Sequence, residues 1–228
     1  MNFNKKFKLW AACGDARADH EYVYFVNGCA YATDAFLLVC IPLYILASFT
    51  DEEKDMLNGF RIHGSLMKIL QTLDAATISS GTETNGDGEA TNIVVISAKV
   101  GDNEVRFVLR DTGFKSPDFN SVLANDEENA KPVTAVGIGV DSLKTIASAM
   151  GQDSLLMRFS RAGDKTFIKP IDETYAGMVG VVITTCEEAT IPGFGSEDGE
   201  EQKLLGSGDG APLLEAPEEA EEVEEEEV

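Results

Sequence analysis

Apolar positions follow two patterns along this chain. The first is a set of short β-prone runs: Tyr22-Val23-Tyr24-Phe25-Val26, then Cys29-Ala30-Tyr31-Ala32, then residues 36–41. Asn27-Gly28 separates the first two runs and predicts a tight hairpin, because type I′ turns need positive φ at both central residues. Pro42 is expected to end the third strand. Ahead of them, the spacing of Phe3, Phe7, Trp10 and Ala11 predicts a short amphipathic helix stopped at Cys13-Gly14. The second pattern is helical. Leu66, Ile69, Leu70 and Leu73 fall at i, i+3, i+4 and i+7, one apolar stripe, with Ser65 as candidate N-cap and Phe60-Arg61-Ile62 as a short strand before it. Leu143, Ile146, Ala147 and Met150 repeat that spacing, with Asp141 as candidate N-cap, residues 136–140 as a candidate strand and Gly151 as the stop. A shift of 77 residues superposes Ser65-Leu66 on Ser142-Leu143, Ile69 on Ile146 and Leu73 on Met150.

Strands are predicted at residues 92–100 and 104–110, joined by Gly101-Asp102-Asn103, and later at 154–159, 166–170 and 178–185. Residues 79–90 (SSGTETNGDGEA) read as an exposed flexible loop and 125–131 as a polar linker. A helix followed by about three strands thus recurs three times. This predicts an α+β fold in which each unit lays one helix on a shared antiparallel sheet. Residues 1–124 hold two such units, residues 133–187 a third, and residues 191–228 form a tail.

Charge separates the tail from the body. Of 40 Asp+Glu and 18 Lys+Arg, the tail at 191–228 holds 14 acidic residues and one basic (Lys203), leaving the body at −9 of the total −22. An acidic, aromatic-poor run with six glutamates between Glu221 and Glu227 repels itself and buries nothing, so the tail is expected to be disordered. No apolar run reaches the ~18–20 residues of a membrane span, and no leader-like segment opens the chain, which predicts a cytoplasmic protein. The acidic balance excludes a nucleic-acid binder working through a strongly basic surface but not a local basic patch.

Candidate chemistry is sparse. Cys13, Cys29, Cys40 and Cys186 form no C-x-x-C pair and have only His20 and His63 for company, so no metal or cofactor site is expected. Neither histidine has the sequence neighbours of a catalytic triad, and both read as surface residues. Gly137-Ile138-Gly139 lacks the later Gly or Lys-Ser/Thr of a phosphate loop and reads as a tight approach into a helix. The Asp-rich stretches at 51–55 and 126–128 do not fit a calcium loop. No enzyme is expected.

Two segments carry a family resemblance. Arg17 followed by Tyr22 through Asp34, with Ala32-Thr33-Asp34 retained, resembles the loop-Arg, strand, hairpin and Ala-Thr-Asp-Gly pattern of bacterial sliding clamps, the β subunit of DNA polymerase III. After it, Ala35-Phe36-Leu37-Leu38 stands where the family has Gly-His-Arg-Leu. Gly113-Phe114-Lys115-Ser116-Pro117-Asp118-Phe119-Asn120-Ser121-Val122-Leu123 is similar to the clamp's Gly-x-Phe-Pro-Asp-Tyr-x-x-Val, with Lys115 and Ser116 inserted and Phe119 for Tyr. Residues 136–186 are similar in layout to a clamp's last unit, without its Met-Pro close. Together these cover most of residues 1–186.

The resemblance implies a DNA-clamp-type fold, with antiparallel sheets outside and helices inside, closing as a homo-oligomeric ring around duplex DNA. It implies a processivity factor that tethers DNA polymerase and other replication proteins. Three units, against two per domain in the family, suit a reduced, phage-type member. Such a ring needs modest, sequence-independent phosphate attraction, which lysines on inward helices inside an acidic body would supply. Lys5, Lys6, Lys8, Lys68 and Lys144, with Arg17 in its loop, are the candidate DNA contacts; ordinary exposed helix lysines are the alternative for each. The competing function is a non-catalytic monomeric interaction module, such as a phage accessory protein, acting through sheet edges or the acidic tail.

Overall fold

In the computed structural model Asn27 and Gly28 both take positive φ, 51° and 76°, and this turn folds β1 (Tyr22–Val26) back onto β2 (Cys29–Thr33). β3 (Leu37–Pro42) pairs next to β2, with Pro42 as its last residue. The chain continues through α1 (Leu43–Leu46), α2 (Asp51–Leu57), β4 (Arg61–His63), α3 (Gly64–Leu70), β5 (Ala76–Thr84), β6 (Ala90–Val100), β7 (Asn103–Arg110) and α4 (Phe119–Leu123). It ends with α5 (Val140–Met150), β8 (Leu155–Phe159), β9 (Lys165–Pro170) and β10 (Val179–Ile183). The structure describes residues 1–14, 17–84, 88–124, 137–159 and 165–183, all within one unit, Met1–Cys186. The tail at 191–228 and the linker at 125–131 lie outside the described residues.

The strands form two antiparallel sheets. One has seven strands in the order β4-β1-β2-β3-β10-β9-β8, and the other is the meander β5-β6-β7. The fold is therefore mixed α+β, with antiparallel sheets and few helices. Because β10 pairs with β3, strands from both ends of the described chain share one sheet.

Both faces of the central strands are covered, which explains why β1, β2 and β3 read as nearly continuous apolar runs rather than as an alternation. Val23, Phe25, Ala30, Ala32, Val39 and Ile41 join Met67 and Leu70 of α3 and Ile146, Ala149 and Met150 of α5 in one cluster. Ile78, Val94 and Ile96 bring the three-stranded sheet into the same cluster. On the opposite face Tyr24, Tyr31, Leu38, Cys40 and Val181 pack with Phe119. The residue 113–123 segment lies over that face as a strap. Phe119 stacks parallel on Tyr31 at 4.4 Å, Phe114 packs on Tyr24, and the Arg61 guanidinium sits 4.2 Å from both the Tyr22 and Phe114 rings. Lys165 Nζ donates to the carbonyls of Ser121 and Ala124, tying the strap to β9.

Several local expectations change. The N-terminal helix is only a 3-10 turn, Leu9–Ala12, at the end of a segment stitched down by its backbone. Residues 79–84 and 90 belong to strands, because β5 continues to Thr84 and pairs with β6 down to Thr84↔Ala90. In α3 the buried positions are Met67 and Leu70, while Ile69 is half exposed, and His63 rather than Ser65 is the N-cap. Residues 137–139 form no strand; Gly139 is the N-cap of α5 and makes no side-chain cap, with Asp141 inside the first turn. Gly151 does close α5, at φ 57°.

Candidate nucleic-acid interface

Residues 3–12 run along the helix-bearing side of the large sheet, between α3 and α5. Phe7 and Leu9 are fully buried there and act as anchors. Asn4 N donates to Leu46 O, Lys8 N donates to Ala149 O of α5, and Gln71 Nε2, just past α3, donates to Phe7 O at 2.7 Å. Alternate side chains are thereby held outward, and Lys5, Lys6 and Lys8 are exposed. A Cβ at Gly151 would lie 2.5 Å from Lys6 O, so only glycine lets α5 end against this segment.

The cations differ in how they are held. Lys6 Nζ lies 4.8 Å from the Tyr175 ring centre, and Lys68 Nζ of α3 lies 4.6 Å from the Trp10 ring, so each ammonium is positioned by an aromatic face rather than by a carboxylate. The Lys8 ammonium has no hydrogen-bond, ion-pair or ring partner among the described residues. Lys5 pairs with Asp74 at 2.7 Å and Lys144 with Asp141 at 3.3 Å, all four side chains more than half exposed. The Lys5 hydrogen bond holds the Asp74 carboxyl below the usual range. Asp172 is also held low, first by hydrogen bonds from Thr174 and to a smaller degree by Lys6. Lys5, Lys6, Lys8, Lys68 and Lys144 are thus carried by segments that pack on the helix-bearing side of the large sheet. Arg17 stands apart on an exposed turn whose carbonyl accepts from His20 N.

What this face offers is a small set of solvated ammonium groups on rigid supports. Such groups attract phosphate oxygens without reading bases. Spacing placed Trp10 only as an apolar position of the N-terminal stripe and did not reach Tyr175, so neither was marked as a lysine support.

One histidine differs from expectation. His20 is buried, only 7% exposed, with Nδ1 lacking a hydrogen-bond partner. His63 stands between Ser65 Oγ at 2.8 Å and Glu21 at 3.3 Å, a neighbour that the β1–β4 register brings from across the sheet. Its Nδ1 accepts from Ser65 N, which commits the ring to capping α3 and leaves Nε2–H for the Glu21 carboxylate. A cleft of about 350 Å³ between α2 and β5–β6 is lined by Asp55, Asn58, Phe60, Thr82 and Asn92 among others, with no basic side chain. Among the described residues no group of three or more His, Cys, Asp or Glu is placed to hold a metal, and no helix is long and apolar enough to cross a membrane.

No family model, curated protein or solved structure matches this chain.

Proposed function

We propose that this chain is a sliding-clamp-like processivity factor of reduced, phage type, working in the cytoplasm. It would encircle duplex DNA as a homo-oligomeric ring, without catalysis or cofactor, and tether DNA polymerase and other replication proteins. The observation that carries this reading is the gathering of Lys6, Lys8 and Lys68 on the helix-bearing side of an otherwise acidic body, two of them held by aromatic rings. The strap is consistent with it, since Gly113 to Leu123 is the second segment of the resemblance and packs against a face of the large sheet.

The test is a charge reversal. Replacing Lys5, Lys6, Lys8, Lys68 and Lys144 with Glu should abolish stimulation of a processive polymerase while leaving the fold intact, because exposed charges typically change stability by less than ~0.5 kcal/mol each. Unchanged processivity in that variant would mean that this face does not meet DNA.

A second reading has one observation in its favour. β8 is the last strand of its sheet and exposes Leu156 and Met157, 60% and 45% accessible. An edge of that kind is a pairing surface. In a ring it would meet another copy; in a monomeric interaction module it would meet a different protein. Native mass spectrometry of the full chain at micromolar concentration separates them, with a defined homo-oligomer expected for the clamp and a strict monomer for the module.

A further inference from the structure

The turn from β2 to β3 combines a strained backbone with an exposed aromatic ring. Ala35 takes φ 83°, in the left-handed region that a β-carbon disfavours. The flanking side chains hold it there. Thr33 Oγ1 accepts from Ala35 N and donates to Leu37 O, and Asp34 Oδ1 accepts from both Phe36 N and Leu37 N at 2.8 Å. Phe36 O accepts from the N–H of Ile183, the last residue of β10. Strain fixed this firmly by its surroundings points to function. What it presents is Phe36, 66% exposed, beside Ile183 at 38%. An aromatic side chain held in water on a rigid support has the form of an interface anchor.

The other end of the same strands carries a cavity. There Asn27 N donates to Asn58 Oδ1, while Phe25 N donates to Phe60 O and Gly59 N to Phe25 O. These bonds bring two lining residues of the cleft between α2 and β5–β6 to the Asn27-Gly28 turn. Of the cleft's lining, Val94 is buried and Met56 and Phe60 are half-buried, while Asp55, Asn58 and Thr82 are exposed. Its volume of about 350 Å³ thus has an apolar floor under a polar rim. Charge agrees at the two ends. Exposed Arg17 lies on the turn whose His20 carbonyl shares the Gly14 N–H with Thr33 O, next to the Phe36 tip. The cleft offers Asp55 and no basic side chain. The five residues of β2, roughly 15 Å of extended chain, hold tip and cleft apart, so no chain can fill its own cleft.

We propose that Phe36 anchors a head-to-tail contact in which its phenyl group enters the α2/β5–β6 cleft of a second copy of this chain. Tip and cleft are different surfaces, so the contact is heterologous. Each added copy leaves one tip and one cleft free, and association continues until it closes on itself. The inference rests on the homo-oligomeric reading above and not on DNA binding.

The experiment uses the full chain at micromolar concentration, followed by sedimentation velocity and native mass spectrometry. Wild type should form a defined homo-oligomer. Phe36→Ala removes only an exposed group, so its melt should match wild type, while self-association weakens about thirtyfold or more, as for truncation of an aromatic anchor. Thr82→Trp, at an exposed rim position, should obstruct the cleft with the same result. Mixing tests the geometry. Phe36→Ala keeps its cleft and Thr82→Trp keeps its tip, so the two variants should combine as a one-to-one dimer and go no further. Self-association of either variant at wild-type strength would overturn the inference and leave the ring reading standing. So would two monomeric variants that fail to combine. A wild type that stays monomeric would overturn both.

Discussion

A Cβ at Gly180 would stand 2.6 Å from Ile146 Cγ2 and 3.5 Å from Met150 Sδ, so α5 reaches β10 only because that position has no side chain. Ile146 and Leu70, fully or nearly fully buried, then anchor α5 and α3 in the shared cluster. Ile146→Ala and Leu70→Ala should each cost on the order of 2–5 kcal/mol, read as a drop in thermal midpoint; melts matching wild type would show that these side chains do not anchor the helices. Gly151→Ala should be costly for a different reason. It meets both a left-handed φ of 57° and the Lys6 carbonyl, so it should lower DNA affinity as well as stability by displacing the lysine-bearing segment. At this scale the sequence is legible where the rule is local. Asn27-Gly28 folds as its φ requirement dictates, and Gly151 stops its helix. It is less legible where a neighbour decides: Ile69 fits an apolar stripe by spacing, but α3 turns Met67 inward, because the surface it meets is assembled from strands far away in sequence.

Among elements, the N-terminal segment shows why spacing alone misled. Phe3, Phe7 and Trp10 have helical intervals, yet the segment is held by hydrogen bonds to Leu46, Gln71 and Ala149, partners that a helix would not need. Leu9, which the spacing leaves off the stripe, is fully buried. β5 was hidden for the opposite reason. Its Ser, Thr and Gly residues carry no apolar alternation, but the ladder to β6 needs only backbone groups, and Glu83 at its far end pairs bidentately with Arg110 of β7. That pairing holds the Glu83 carboxyl below its usual range. A depressed carboxyl stabilises the fold above its ordinary range and loses that contribution as pH falls through the folded value. Hydrogen-exchange protection at the outer end of β5–β6, taken relative to the intrinsic rate at each pH, should therefore fall in acid, and Glu83→Gln should remove that fall; an unchanged protection profile would mean the pair contributes nothing there. The strap was legible as a motif but not as a cover. Phe119→Ala should cost roughly 3–5 kcal/mol, since the ring is 6% exposed and stacked on Tyr31.

At the scale of the whole molecule, the charge distribution is the argument. The body holds more acid than base, so on the proposed reading the face carrying Lys6, Lys8 and Lys68 is where a polyanion would be attracted. Lys5 and Lys144 are paired with Asp74 and Asp141, so the proposed DNA contact would engage about three cations per subunit, and the logarithm of the per-subunit DNA affinity should then fall with log salt at a slope of about −3. The α+β class and most strand positions were readable from periodicity. The joining of β3 to β10, which makes one seven-stranded sheet from two distant segments, was not, because no local pattern marks which strands meet at a sheet's centre. The central claim is topological capture of DNA, and retention on DNA circles tests it most directly. The full chain is incubated with nicked circular duplex and passed through gel filtration at salt high enough to strip electrostatic contacts, before and after the circle is cut to a linear form. Capture predicts protein that stays with the circle and is lost on cutting; equal retention on both forms, or none on either, would contradict it.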